Sequence, residues 1–246
     1  MKKEEMAITV KDLHVYYRDM NRFSLKKGGL KARGTGKIFK AVKGVSFEVP
    51  KGQILGICGK NGSGKSTLLR AISGIFSPDS GSINLHGNSI SLLSIGVGFQ
   101  KQLTGYENIF LSGMLLGYSK EQIEAKIDDI IEFSELGDFI YRPVRSYSSG
   151  MHSKLAFSIT AILETDIMLI DEVLSVGDIH FKEKSYNKMK ELISNDDRTV
   201  VIVSHNSNTI KELCNKVIWL HEGLIKAQGD PKDIMDKYET FMRNEG

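Results

Sequence analysis

Only two cysteines, Cys58 and Cys214, occur in the 246 residues, and they lie far apart. That excludes a disulfide-stapled scaffold and a cysteine-based metal site, and a reducing cytoplasmic compartment is the simplest setting. Proline is scarce at 4 while glycine reaches 24, so glycine supplies most of the breaks between elements. No stretch approaches the ~20 apolar residues needed to cross a bilayer. The opening Met1-Lys2-Lys3-Glu4-Glu5 leads into a strand-like run and not into the apolar core of a signal peptide. An excess of one charge is missing too. Lys and Arg total 33 against 30 Asp and Glu, a net +3 that gives no argument for a nucleic acid partner. Any membrane role must come through a partner or by surface contact.

What is present suits a folded chain: 41% hydrophobic and 26% charged residues, in a length that fits one α/β domain. Residues 6–17 read as an opening strand with Ile8 and Val10 on one face. Residues 18–40 break the pattern with Arg18, Arg22, Lys26, Lys27, Lys31, Arg33, Lys37 and Lys40 against the single acid Asp19. Phe23, Leu25, Leu30 and Phe39 are interleaved among them. This basic insertion reads either as a solvated hairpin or as a segment facing an anionic surface. Val45–Val49 alternates as a strand, and Gln53–Cys58 is an apolar run of buried-strand length. A helix follows with Leu68, Leu69, Ile72 and Ile75 at helical spacing. Ser119 with Gln122 predicts a capping box before the stripe Ile123, Ile127, Ile130 and Ile131. Met168-Leu169-Ile170 and Val200–Val203 read as strands inside a parallel sheet. Val217–Leu220 and Leu224–Ala227 flank a Glu222-Gly223 turn, and Asp230-Pro231 starts a last helix over 230–243. Residues 98–165 are expected to form a helical lobe.

The chemistry sits in the turn after Cys58. Gly59-Lys60-Asn61-Gly62-Ser63-Gly64-Lys65-Ser66 fills every position of a phosphate-binding loop, with Thr67 next in the helix. Glycines let backbone N–H groups close around phosphate oxygens, and the following helix turns its positive end to the same anion. Lys65 is placed to reach the β- and γ-phosphates, and Ser66 to bind Mg²⁺. The run Ile167–Ile170 delivers Asp171 to the Mg²⁺ shell, and Glu172 follows, placed to orient or deprotonate a water.

Tyr147-Ser148-Ser149-Gly150-Met151, upstream of Asp171, resembles the signature motif of ABC-transporter ATPases. It departs from the common Leu-Ser-Gly-Gly-Gln form in the way typical of exporters of teichoic acids and O-antigen polysaccharides. Leu174-Ser175-Val176-Gly177-Asp178 looks like the D-loop, with Asp178 its acid. His205 looks like the switch histidine, and Gln100 like the Q-loop glutamine, with Gln102 a rival. Tyr17 looks like the aromatic that stacks on adenine, with Tyr16 beside it.

The resemblance covers residues 6–242. It implies the ABC ATPase fold over 1–246: a RecA-like mixed sheet core, a helical subdomain and an N-terminal antiparallel β region. It implies ATP and Mg²⁺, the metal held by Ser66 and, through water, by Gln100 and Asp171. Glu172, His205 and Gln100 are the implied catalytic group. Two such chains would sandwich ATP, Ser148, Ser149, Gly150 and Met151 of each covering the nucleotide of the other. A separate transmembrane permease would hold the dimer at the cytoplasmic face of the membrane and make most contacts with a lipid-linked polysaccharide. No C-terminal carbohydrate-binding domain is expected, and no nucleic acid partner. The rivals are another ABC transporter's ATPase, a soluble ABC ATPase of ribosome or DNA, and a P-loop kinase.

Overall fold

The computed structural model of the chain describes residues 5–18, 38–93, 98–171, 178–193 and 198–244. Strands β1 (Met6–Arg18), β2 (Ile38–Pro50) and β4 (Ser80–Asn84) form an antiparallel sheet in the order β2-β1-β4. In β1 the buried face runs through Ile8 and Val10, then Leu13 and Val15. This change of phase falls at a register shift where Asp12 adopts φ 46°, as a bulge requires. The two strands also reach into the ends of the basic insertion, taking Arg18 and Ile38 to Lys40. Its remaining residues, 19–37, lie outside the described residues.

The second sheet has the order β5-β6-β7-β3-β8-β9. Strands β5 (Ile90–Leu93), β6 (Ile167–Asp171), β7 (Thr199–Val203), β3 (Ile54–Cys58) and β8 (Lys216–His221) are parallel, and β9 (Leu224–Gly229) returns antiparallel to β8. Ile57 pairs with Val203 and Val203 with Asp171. The carboxyl ends of β3, β7 and β6 are therefore level, which is where parallel sheets bind ligands.

Alternate residues of these strands face opposite layers. Leu55, Ile57, Leu169, Val201 and Ile218 pack on α1 (Lys65–Ile72) and on the antiparallel sheet. Cys58, Met168, Ile170, Val200 and Trp219 pack on α5 (Ser149–Ile162), α6 (Ile179–Ile193) and the last helix, Pro231–Asn244. A third core joins α2 (Gly105–Leu115), α3 (Lys120–Glu124), α4 (Ile127–Ser134) and α5 through Ile109, Ile123, Ile130, Leu155 and Ile159.

Two local expectations change. Ile75 is not on the helix stripe: Gly74 takes φ 76°, Ile75 N–H returns to Arg70 O, and the side chain is 43% exposed. A left-handed glycine ends a helix this way. The isoleucine stripe after Ser119 spans two helices with a break at Ala125-Lys126, and Ile131 is only half-buried. The capping box itself is present, with Ser119 Oγ accepting from Gln122 N and Gln122 Oε1 from Ser119 N.

Candidate nucleotide site

The phosphate loop is shaped by what surrounds it. At Gly59, φ 149°, a Cβ would meet Leu220 O of β8 at 2.1 Å; at Gly64, φ 104°, it would meet Ala41 O of β2 at 2.4 Å. Neighbouring backbones thus leave no room for a side chain at either position. The turn between β8 and β9 buttresses the loop, with Gly223 N donating to Ser63 O and Lys43 N to Gly223 O. Gly64 caps α1 without any side-chain hydrogen bond. The first-turn N–H groups of α1 are therefore left for an anion.

Lys65 is buried, and its Nζ donates to the carbonyls of Gly59 (2.7 Å) and Lys60 (2.9 Å). Ser63 is 4% exposed, and its Oγ has no hydrogen-bond partner among the described residues. Such an orphaned buried hydroxyl fits a loop built to meet phosphate oxygens. Ser66 Oγ donates to Asp171 Oδ1 across 3.3 Å, joining α1 to the end of β6. Phe39, Ala41, Asn61, Gly62, Gly64, Lys65, Ser66, Thr67 and His205 line a cavity of ≈ 190 Å³. Lys60 lies outside that wall, with Nζ 5.8 Å from the Phe241 ring centre. Tyr17 ends β1 beside the loop, its hydroxyl sharing a hydrogen bond with Thr67 Oγ1 at 3.0 Å. Cys58, just before the loop, has its thiol pushed up to about 12 by burial, with the charge of Lys65 pulling the other way, so it stays protonated.

The wall of this cavity does not include Gln100, Asp178 or the residues from Ser148 to Met151. Ser148 caps α5, its Oγ accepting from Met151 N at 3.2 Å. Ser148 and Ser149 are exposed at that helix start, while Met151 packs against the helical core. Tyr147 OH donates to Phe139 O, and burial raises its pKa. Within α5, Lys154 Nζ reaches Asp178 Oδ2 at 2.9 Å and Glu135 Oε2 at 3.3 Å. The Phe181 N–H and this ammonium hold the Asp178 carboxyl down at about 2. The N-terminal half of α5 is thus tied to Asp178. Glu172 and residues 174–177 lie outside the described residues.

Asn108 had no signal in the sequence beyond being a polar residue in a helix. It is fully buried and braces the loop that carries Gln100: Oδ1 accepts from Gln100 N, and Nδ2 donates to the carbonyls of Gln100, Leu103 and Thr104. Gln100 and Gln102 are both exposed, and nothing in their positions favours one over the other. Phe39 is the other addition. Read as part of the basic insertion, it instead sits in β2 and faces the cavity.

A parallel sheet packed on both faces, with a phosphate loop at the level ends of its strands, defines the P-loop nucleotide-binding fold. Residues 42–175 match the family model described as ABC transporter, and the chain belongs to that family. It is 45% identical over 208 residues to the "Teichoic acids export ATP-binding protein TagH" of Bacillus anthracis, covering 85% of this chain and 38% of that protein. It is 42% identical over 201 residues to the "O-antigen export system ATP-binding protein RfbB" of Myxococcus xanthus, covering 82% of this chain and 46% of that one. The chain therefore spans less than half the length of these two relatives. The TagH of Staphylococcus epidermidis is 40% identical over 233 residues, 95% of this chain and 86% of its own length. Among solved structures, a dimeric ATP-binding cassette in a post-hydrolysis state with ADP and Pi superposes with a TM-score of 0.70. That match has 21% identity and covers 91% of this chain and 98% of that one, which establishes the shared fold.

Proposed function

We propose that the chain is the ATP-hydrolysing subunit of an exporter that moves a lipid-linked envelope polysaccharide, of teichoic acid or O-antigen type, out across the cytoplasmic membrane. The observation that carries the reading is a phosphate loop level with Asp171 and His205, in a chain 40–45% identical to proteins named for that export. In the described residues no helix is long and apolar enough to cross a membrane; a separate permease is the proposed path for the polymer. Exposed Ile75, Met114 and Leu115 on the helical side support a permease contact there.

ATP is the substrate. Lys65 and the N–H groups of residues 59–67 hold its phosphates, and His205 meets the γ-phosphate. Ser66 Oγ and, through water, Asp171 would hold Mg²⁺ with the hard oxygen donors it takes. Among the described residues no cluster of three or more His, Cys, Asp or Glu offers an all-side-chain metal site, so the ion would share its shell with the phosphates. Bound there, it would neutralise charge on the transferred phosphoryl group. Glu172 accepts a proton from the water that attacks the γ-phosphorus, and ADP departs with the bridging oxygen. Ser148, Ser149, Gly150 and Met151 of a second copy close the site from outside, since in their own chain they stand apart from the cavity wall. ATP then joins two subunits, and hydrolysis loosens them. Gln100, braced by Asn108, carries the change to the helical lobe and the permease.

Glu172→Gln tests this directly. It should retain ATP binding, lose hydrolysis by ~10²–10⁴-fold, and collect as an ATP-bound dimer on size-exclusion chromatography. In the complex with its permease, the parent chain's ATPase should rise on addition of polyisoprenyl-diphosphate-linked polymer. Ordinary turnover in the variant, or indifference of the complex to that polymer, contradicts the reading.

A further inference from the structure

The resemblance puts the base-stacking role on Tyr17, and the geometry points elsewhere. Tyr17 is held at its hydroxyl by Thr67, and its ring meets Phe76 edge-on, 6.0 Å between centres at 87°. Phe39, its cross-strand partner in β2, lies over it nearly parallel, 6.5 Å between centres at 29°. Tyr17 is not part of the cavity wall, whereas Phe39 is. Phe39 is also 60% exposed, so it adds little to the core, while Tyr17 is 40% exposed. An aromatic side chain left open beside a phosphate loop, and backed by a second ring, has the form of a stacking platform.

We propose that Phe39 presents the face on which the nucleotide base stacks, with Tyr17 as its buttress, and that this platform makes the site favour purine over pyrimidine triphosphates. The inference rests on the reading of this cavity as a nucleotide site. The physical basis is the π-face. Every base has one, so stacking tolerates adenine and guanine alike, but a purine covers more of the phenyl ring than a pyrimidine. The phosphates are held by the loop and are indifferent to position 39. Loss of the ring should therefore cost base-dependent affinity and leave phosphate-dependent affinity alone. Thr67 belongs to α1 and also lines the cavity, so the bond from Tyr17 fixes the buttress to the helix that carries Lys65 and Ser66.

The test is equilibrium binding by calorimetry on the full chain with Mg²⁺, using ATP, CTP and inorganic tripolyphosphate as probes. Phe39→Ala should weaken ATP about tenfold, narrow the preference for ATP over CTP, and leave tripolyphosphate unchanged. Phe39→Tyr should restore the parent values. Phe39→Trp supplies a spectroscopic readout, because the chain's single tryptophan, Trp219, is buried on the opposite face of the sheet. Its added emission should be quenched by ATP and not by tripolyphosphate. Unchanged ATP affinity in Phe39→Ala, or no ATP quenching in Phe39→Trp, overturns the proposal and returns the base to Tyr17. Lys65→Ala separates the two levels of the argument. It should weaken ATP and tripolyphosphate together, and if it weakens neither, the nucleotide reading fails and Phe39 with it.

Discussion

At the scale of single residues, the site depends on groups whose charge is fixed by their neighbours. Asp178 shows this most clearly. Its carboxyl accepts from the Phe181 N–H and meets Lys154, and its pKa lies near 2, below its ordinary 3.8. A carboxyl lowered by folding contributes stability above its ordinary value and loses it as pH falls through the folded value. The Lys154–Asp178 contact should therefore persist from neutral pH through 4 and fail only near 2. Carbon-detected NMR titration of Asp178 should give that midpoint, and Lys154→Met should move it upward. A midpoint at 3.8 in the parent chain would mean the contact is not formed in solution. The phosphate loop was legible at this scale because its chemistry is local: each of its residues acts through backbone that is contiguous in sequence. Phe39 was not, because its meaning depends on the strand partner that brings Tyr17 alongside and on the cavity beyond.

Among elements, the helices explain most of what position and spacing predicted, and most of what they missed. Ser148 acts as an ordinary helix cap, yet it caps the helix that carries Lys154 to Asp178. The strands of the parallel sheet were readable as apolar runs, whereas β4 and β5 were not: Ser80–Asn84 and Ile90–Leu93 are short and lack a clear apolar period. Asn108 was equally hidden. A polar residue in α2 gives no sign that its partners are the carbonyls of a loop reached by folding back. Asn108→Ala leaves those buried carbonyls without their donor, a loss of ~1–3 kcal/mol. Urea denaturation should show that drop. The same variant should slow ATP hydrolysis in the permease complex more than it weakens ATP binding, because it loosens the Gln100 loop and not the phosphate loop. An unchanged midpoint would show that α2 does not support that loop.

For the whole molecule, the proposed reading needs half of an active site from each of two chains. The loop and His205 meet at one cavity, with Asp171 joined to it through Ser66, while Ser148 to Met151 stand at the start of α5 and are not part of its wall. Sequence order could place these motifs along the chain, but not show that Ser148 to Met151 stay out of the cavity wall, because that depends on how the helical lobe packs on the sheet. The most direct measurement is therefore a mixed dimer. Lys65→Ala removes the phosphate half of a site and Ser148→Arg removes the covering half. Each variant alone should form only defective pairs and have little ATPase activity. Mixed in equal amounts, they should regain activity through the one intact composite site in each heterodimer. If mixing restores none, the two halves do not act across chains and the account is wrong.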